Sequence, residues 1–306
     1  YQLAASQTCV AYWNAQIVRE NAYLELTRTF IEVRAAEERW KIASERLELS
    51  ENLLEAAKRK VQNGKLSPIQ EKRVRIGMMA DRLAVREACS VYEQAKSRLA
   101  ALWGSCCPDF ESVEFDLFSF EPPPCESDVQ GAYFRTPDYI RAFQAVTSAA
   151  NNLYLQKANR MPDVVVMGGY RRYHDSHSGG WVVGVEVPLP LFNRNQGGIK
   201  SARCRLEQAR LELEEIAREA QERIAVTLEK LAAAYQEAEE LCACIMSEAK
   251  ETLQMTQAGY DKGKFDYIDL LDAQKLLYEV QERYIDLLCE YHLNRAELAR
   301  LSGLKL

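Results

Sequence analysis

One helical hairpin is written twice in this chain, in a single fixed register. Asn63-Gly64-Lys65-Leu66-Ser67 in the first copy corresponds to Lys262-Gly263-Lys264-Phe265-Asp266 in the second. Gly64 onto Gly263 is an offset of 199, which holds without a gap from residue 1 to residue 104. Under it Arg19-Glu20 falls on Arg218-Glu219, Ile69 on Ile268, Tyr92 on Tyr291, and Leu99-Ala100 on Leu298-Ala299. A long hairpin cannot bury its own apolar stripe, so two copies predict side-by-side packing within the chain and between chains.

The arms of each hairpin read as long helices. Gly and Pro number only 14 and 9 and cluster in a few places, while Ala, Leu, Glu, Arg and Gln fill the rest. Residues 1 to about 62 carry apolar positions at helical spacing, among them Leu24, Phe30, Ile31, Ala35, Trp40, Leu47, Leu53 and Leu54. Gly64 sits where a left-handed cap is wanted. Ser67-Pro68-Ile69-Gln70 restarts a helix, with a hydroxyl cap, proline in the first turn and Gln at the capping-box position. That helix is expected to stop at Gly104. The second copy repeats the plan over about 196–261 and 267–302, with Leu206, Leu213, Ile216, Ile224, Leu228, Leu231, Leu241, Ile245 and Leu253 in a coiled-coil-like stripe. A sixty-residue arm is on the order of 100 Å long. A tunnel or a spacer needs that length; a globular core does not.

Between the copies the pattern changes. Residues 105–134 form a linker with Pro122-Pro123-Pro124, which breaks any continuous helix. Residues 135–162, opened by Thr136-Pro137-Asp138, form a further helix. Residues 163–191 hold a β-hairpin: Val164–Tyr173 is one arm, Trp181–Val187 the other, and His174 through Gly180 the turn. Trp181, Val183, Val185 and Val187 share one face, opposite Val182, Gly184 and Glu186. Such alternation suits a barrel wall with lipid outside and water inside, and equally a hairpin packed on protein. Residues 192–303 are the second helical hairpin and 1–104 the first.

Composition removes several function classes. Net charge is −6 with both signs interspersed, which argues against a nucleic-acid partner. No run of eighteen apolar residues offers a transmembrane helix. The nine cysteines lack CxxC spacing; Cys106, Cys107 and Cys125 flank the linker and can pair in an oxidising compartment. Cys89, Cys204, Cys242, Cys244 and Cys289 are expected as buried free thiols. His174 and His177 stand in the hairpin turn without a third ligand, so no metal site is expected. No nucleophile elbow, phosphate loop or HExxH appears, so neither an enzyme nor a bound cofactor is expected.

Gly184-Val185-Glu186-Val187-Pro188-Leu189-Pro190-Leu191-Phe192-Asn193-Arg194-Asn195-Gln196-Gly197 resembles a signature of the TolC-type outer-membrane efflux family, in particular its heavy-metal branch. The tip sequence Gly263-Lys264-Phe265-Asp266-Tyr267-Ile268-Asp269-Leu270-Leu271-Asp272-Ala273-Gln274 is similarly typical. The resemblance covers the whole chain. It implies a mainly α fold: long antiparallel coiled-coil hairpins forming the α-barrel tunnel of a homotrimer, plus a β-hairpin contributing to a transmembrane β-barrel. It implies a passive exit duct in a Gram-negative outer membrane, reaching into the periplasm. Partners would be a periplasmic adaptor (membrane fusion protein), an inner-membrane pump of the resistance-nodulation-division class, and outer-membrane lipid. Metal cations would be the cargo; a duct for drug efflux or type I protein secretion, or a coiled-coil scaffold outside any membrane, are the alternatives.

By the same resemblance, Asp269 and Asp272 ring the channel entrance, the other reading being that Asp269 merely closes a capping box with Asp266. Gly64, Lys65 and Leu66, with Gly263, Lys264 and Phe265, would be tips that dock the adaptor. Trp181, Val183, Val185 and Val187 would face lipid. Because residue 1 already corresponds to Lys200, a preceding helix and hairpin are expected upstream of this sequence.

Overall fold

The computed structural model describes residues 1–64, 66–105, 107–129, 131–172, 175, 179–188 and 192–304, apart from the side chain of Asp261. Its elements are α1 (Gln2–Gln62), α2 (Pro68–Ala101), α3 (Glu126–Val129), a 3-10 turn (Ala132–Arg135), α4 (Pro137–Ala158), β1 (Val165–Arg172), β2 (Gly179–Glu186), α5 (Gln196–Glu240), a π-turn (Leu241–Ile245), α6 (Met246–Asp261) and α7 (Tyr267–Ser302). The fold is mainly α, with long helical hairpins and one antiparallel β-hairpin. It divides into two compact units, residues 1–18 with 133–221 and residues 19–132 with 222–306.

The larger unit holds most of both helical hairpins. In the first copy Val33, Ala36, Tyr92, Ala95 and Leu99 form a buried cluster with Val113 of the linker, and Trp40 stacks on Tyr92 at 5.8 Å. Nearer the tips, Leu53, Leu54 and Ala57 of α1 meet Val74 and Met78 of α2, Tyr260 of α6, and Tyr267 and Leu270 of α7. The second copy buries Ala238, Leu241, Ala249, Leu277, Val280, Ile285, Leu287 and Leu288 around Ile31 and Ala35. The two hairpins therefore lie side by side and complete each other's cores, as amphipathic arms must.

The linker is strapped down rather than loose. Tyr92 Oη donates to Glu111 O at 2.8 Å. Tyr291, its equivalent in the repeat, donates to Glu121 O at 2.7 Å and accepts Glu121 N–H at 3.0 Å. His292 Nε2 lies 2.9 Å from Leu117 O, and Arg34 Nε donates to Phe115 O. The repeat thus supplies the same tether twice, one for each end of the segment.

The smaller unit holds α4, the β-hairpin and the first part of α5. Asn151 of α4 donates to Ser6 Oγ and Gln2 O at the start of α1. Tyr133, Phe134 and Tyr139 form a ring cluster, with Gln221 Nε2 on the Tyr133 hydroxyl at 3.1 Å.

Three expectations need correction. Cys204, Cys242 and Cys244 are exposed rather than buried, because helix faces that the stripe leaves out have nothing against them in one chain; Cys89 and Cys289 are half-buried. Cys107 and Cys125 are free thiols, while Cys106 lies outside the described residues. The long arm of the second copy is not one α-helix. At Leu241–Ile245 it widens into a π-turn, where Met246 N–H bonds Leu241 O five residues back.

Candidate functional site

Two regions carry the residues singled out above: the paired helix tips and the β-hairpin. Each is built by short-range chemistry. In the second tip, Gly263 adopts φ 72°, which a glycine reaches without strain. Lys264 N–H then bonds Gly259 O at 2.8 Å and Gly263 N–H bonds Tyr260 O at 3.1 Å, so α6 ends in a Schellman motif. Asp266 caps α7 by accepting Tyr267 N–H at 2.9 Å, and Asp269 closes a full capping box by accepting Asp266 N–H at 2.9 Å. Phe265 folds back over Gly259, where a Cβ would lie 2.1 Å from the ring.

The first tip is built differently. Gly64 takes φ 68° and Ser67 Oγ accepts Ile69 N–H at 3.4 Å, but no reciprocal box forms. Gln70, expected to close it, instead reaches across and donates to Asp266 Oδ1 at 3.1 Å. Lys60 Nζ lies 3.6 Å above the Tyr260 ring and donates to Tyr260 O. The two tips are thus tied to one another, a contact no short-range pattern signals. Lys65 lies outside the described residues. Leu66 is half-buried against the core nearest the tips, whereas Gly263, Lys264 and Phe265 are exposed.

Asp269 and Asp272 are both exposed on α7, one step from the tip. Asp269 serves the capping box; Asp272 has no such duty. Desolvation pushes the Tyr267 hydroxyl up to about 12, with buried Asp81 adding to it, and Tyr278 likewise rises to about 12 through burial.

In the hairpin β1 and β2 pair antiparallel, with Trp181 opposite Tyr170, Val183 opposite Gly168 and Val185 opposite Val166. One face therefore shows Val166, Tyr170, Trp181, Val183 and Val185, all bare, with Trp181 82% and Val183 77% exposed. The opposite face is less polar than β2 alone suggested, because β1 adds Val165 and Met167 beside Arg171 and Glu186. Three boundaries move as well: Val164 falls one residue short of β1, Gly179 and Gly180 belong to β2 rather than the turn, and Val187 falls one residue past the strand. His174 and His177 lie outside the described residues. Eight residues per strand span about 26 Å, close to the apolar band of a membrane barrel.

The segment after the hairpin explains the first signature. Asn195 adopts φ 56°, and its side chain donates to Gln156 O and Oε1 at 2.9 Å each. Its N–H bonds Asn193 Oδ1, and its own carbonyl accepts Ile199 N–H at 3.0 Å in the first turn of α5. Asn tolerates that left-handed position, so this stretch turns the chain from strand to helix and anchors the turn on α4. Elsewhere, a cleft of about 860 Å³ lies between α1, the linker and α7, where Arg300 pairs with Glu20. Among the described residues no group of three or more His, Cys, Asp or Glu is placed to hold a metal, and no helix is long and apolar enough to cross a membrane.

Known proteins fit this geometry. The cobalt-zinc-cadmium resistance protein CzcC of Cupriavidus metallidurans is 28% identical over 94% of this chain and 68% of its own. The nickel-cobalt-cadmium resistance protein NccC of Alcaligenes xylosoxydans xylosoxydans is 27% identical over 69% of this chain, which spans about half (49%) of that relative. The crystal structure of the outer membrane protein VceC of Vibrio cholerae superposes with a TM-score of 0.84 at 19% identity, covering 99% of this chain and 74% of that one. The sequence profile of the outer membrane efflux protein family matches residues 130–304, more than half of the chain, from the 3-10 turn through the β-hairpin to the end of α7, and the chain belongs to that family.

Proposed function

We propose that the chain forms the larger part of an outer-membrane exit duct for metal cations, assembled as a homotrimer and served by a periplasmic adaptor and an inner-membrane pump of the resistance-nodulation-division class. The observation that carries this reading is the bare face of Val166, Tyr170, Trp181, Val183 and Val185 on a hairpin that pairs with no further strand among the described residues. Two strands are marginal in water and unacceptable in lipid unless their edges are paired. Copies of the hairpin closing on one another satisfy both demands, with the apolar face outward. A second unpartnered surface supports lateral assembly: Ile69, Ile76 and Leu83 are exposed on α2 at heptad spacing, with Met79 beside them.

Cargo follows from two supports. CzcC is a cobalt-zinc-cadmium resistance protein. In a trimer with its tips gathered, Asp269 and Asp272 would bring six carboxylates around one axis, a field that concentrates cations. Because Asp269 is held by its cap, Asp272 is the carboxylate freer to face a passing ion. The tips Gly64, Lys65 and Leu66 and Gly263, Lys264 and Phe265 would receive the adaptor, with Phe265 the more available apolar contact. Transport is passive in this chain, and the pump supplies the energy.

The test is Val183→Arg in the intact protein. The unaltered protein is expected in the outer membrane as a detergent-extractable trimer, and the variant, with a charge on the lipid face, should cost roughly 2–4 kcal/mol at mid-depth and fail to insert. A freely soluble monomer of the unaltered intact protein would refute the duct.

A further inference from the structure

The repeat allows the two helical hairpins to be compared residue for residue at equal height above their tips. At one level they differ in kind. In the first copy Asp81 of α2 is buried at 6% exposure, takes a 2.7 Å bond from Arg46 Nε of α1, and accepts the hydroxyl of Ser50, itself buried. The Arg46 guanidinium lies over the Tyr278 ring of α7, 5.1 Å from its centre. At offset 199 these three positions become Ile245, Ala249 and Val280, and Ala249 and Val280 sit in an ordinary apolar core.

Two further features share this level. The π-turn of the second copy occupies Leu241–Ile245, the stretch equivalent to residues 42–46. Gln281, equivalent to Arg82, buries its Oε1 without a partner among the described residues. The cores differ accordingly. In the second copy Leu253 packs against both the upper and the lower cluster, so its apolar packing is continuous. In the first, the Trp40–Tyr92 cluster and the Leu53–Met78 cluster are separate, and Arg46, Ser50 and Asp81 fill the interval.

An ion pair with a buried carboxylate and an arginine side chain still 35% exposed is weak evidence for stability, because solvent screens it and well-packed apolar groups of similar volume often do as well or better. Here the second copy is an internal demonstration that the fold accepts an apolar solution at the same place. What directional bonds add over apolar packing is a defined register between helices. We propose that Arg46, Ser50 and Asp81 are positioning residues that pin α2 to α1 and α7, while the π-turn leaves the matching level of the second copy compliant. At this level the first hairpin and α7 are then held, and only the long arm of the second hairpin bends, at Leu241–Ile245, above tips that stay tied by Gln70 and Asp266. A wider i→i+5 turn interrupts the regular ladder of the helix, so its amides are released by a smaller local opening.

Hydrogen exchange read by mass spectrometry on the full chain tests this. In the unaltered protein, amides of 241–249 should exchange about tenfold faster than those of 42–50, the same level of the other copy. Replacing the pin by the residues of the second copy, in R46I/S50A/D81V, should leave Tm unchanged or higher while exchange at 42–50 and 77–85 accelerates about tenfold. Should the triple variant fold poorly, Asp81→Asn, which keeps the shape and drops the ion pair, should show the same acceleration at a smaller amplitude. Equal exchange at the two levels of the unaltered protein, or triple-variant protection that stays native or falls only in step with Tm, would overturn the pin. Any part of this pin in gating rests on the duct reading. Exchange is independent of it, so a chain that pins as described yet conducts nothing in a bilayer would sink the duct and leave the pin.

Discussion

Asp269 and Asp272 look alike in sequence, and the structure assigns them separable work. Asp269 Oδ2 holds the Asp266 N–H at 2.9 Å and completes the capping box of α7, whereas Asp272 is exposed and outside that box. Loss of a helix N-terminal cap costs about 1 kcal/mol. For a chain of this size that corresponds to roughly 2 °C in Tm. Asp269→Ala should therefore lower Tm by about that amount, and Asp272→Ala should leave it within error, since exposed substitutions away from such features fall within about 0.5 kcal/mol. Calorimetry of the two variants and their double reads this directly. Channel recordings from the intact trimer supply the other axis: Asp272→Ala should weaken block by divalent cations, and Asp269→Asn should weaken it too. If Asp272→Ala costs as much stability as Asp269→Ala, the division of labour is wrong. If neither variant alters cation block, the acidic entrance is wrong.

Other outcomes follow from the same geometry. Gly259→Ala places a Cβ 2.1 Å from Phe265, so the ring must swing outward; crosslinking from position 265 to the adaptor should change while helix content by circular dichroism does not. Asn195→Ala loses both bonds to Gln156 and strains φ 56°, and should cost about 1–2 kcal/mol; Asn195→Gly removes the same bonds but relieves φ and should be milder, as thermal unfolding will show. Tyr267 and Tyr278 are raised to about 12 in the folded protein against about 10 unfolded, so their contribution to stability is complete below pH 10 and lost as pH climbs to 12. Absorbance titration at 295 nm should show a late-ionising group made of these two with Tyr92 and Tyr284, which burial also raises, and Tyr278→Phe should remove one of them. Burial depresses His292, which donates to Leu117 O, so stability should fall as pH drops below about 6.5; His292→Gln should flatten that limb in urea midpoints.

Much of the architecture was readable from residue types alone. Gly64 and Gly263 mark both tips because each needs a left-handed backbone, and Ser67 and Asp266 restart the helices because each has a side-chain acceptor at the cap. Alternation marked the two faces of β2, but the pairing register with β1 was not legible, and the strand ends shifted by a residue or two where glycines joined the strand. Periodicity failed where the answer depends on what lies alongside. Helical spacing cannot tell an exposed Cys204 or Cys242 from a buried one, since that depends on which faces find a neighbour. The π-turn leaves no mark in a run of helix formers. Gln70 followed the capping-box rule in sequence, and a nearby carboxylate on the other tip drew it away. No spacing rule singles out Asp81; only packing α2 against α1 reveals that Arg46 and Ser50 meet it.

The gapless repeat, together with the Gln70–Asp266 tie, limits how such proteins can vary in length. One residue inserted in α1 alone would displace everything beyond it by about 1.5 Å and turn it by about 100°. The stripe would leave its core, and Gln70 would lose Asp266. Keeping the tips level therefore demands matched insertions in both arms of both hairpins, in whole repeats of the apolar pattern. Reach across the periplasm is then quantised, and relatives of this chain should differ in arm length by seven or eleven residues at four places together, or not at all.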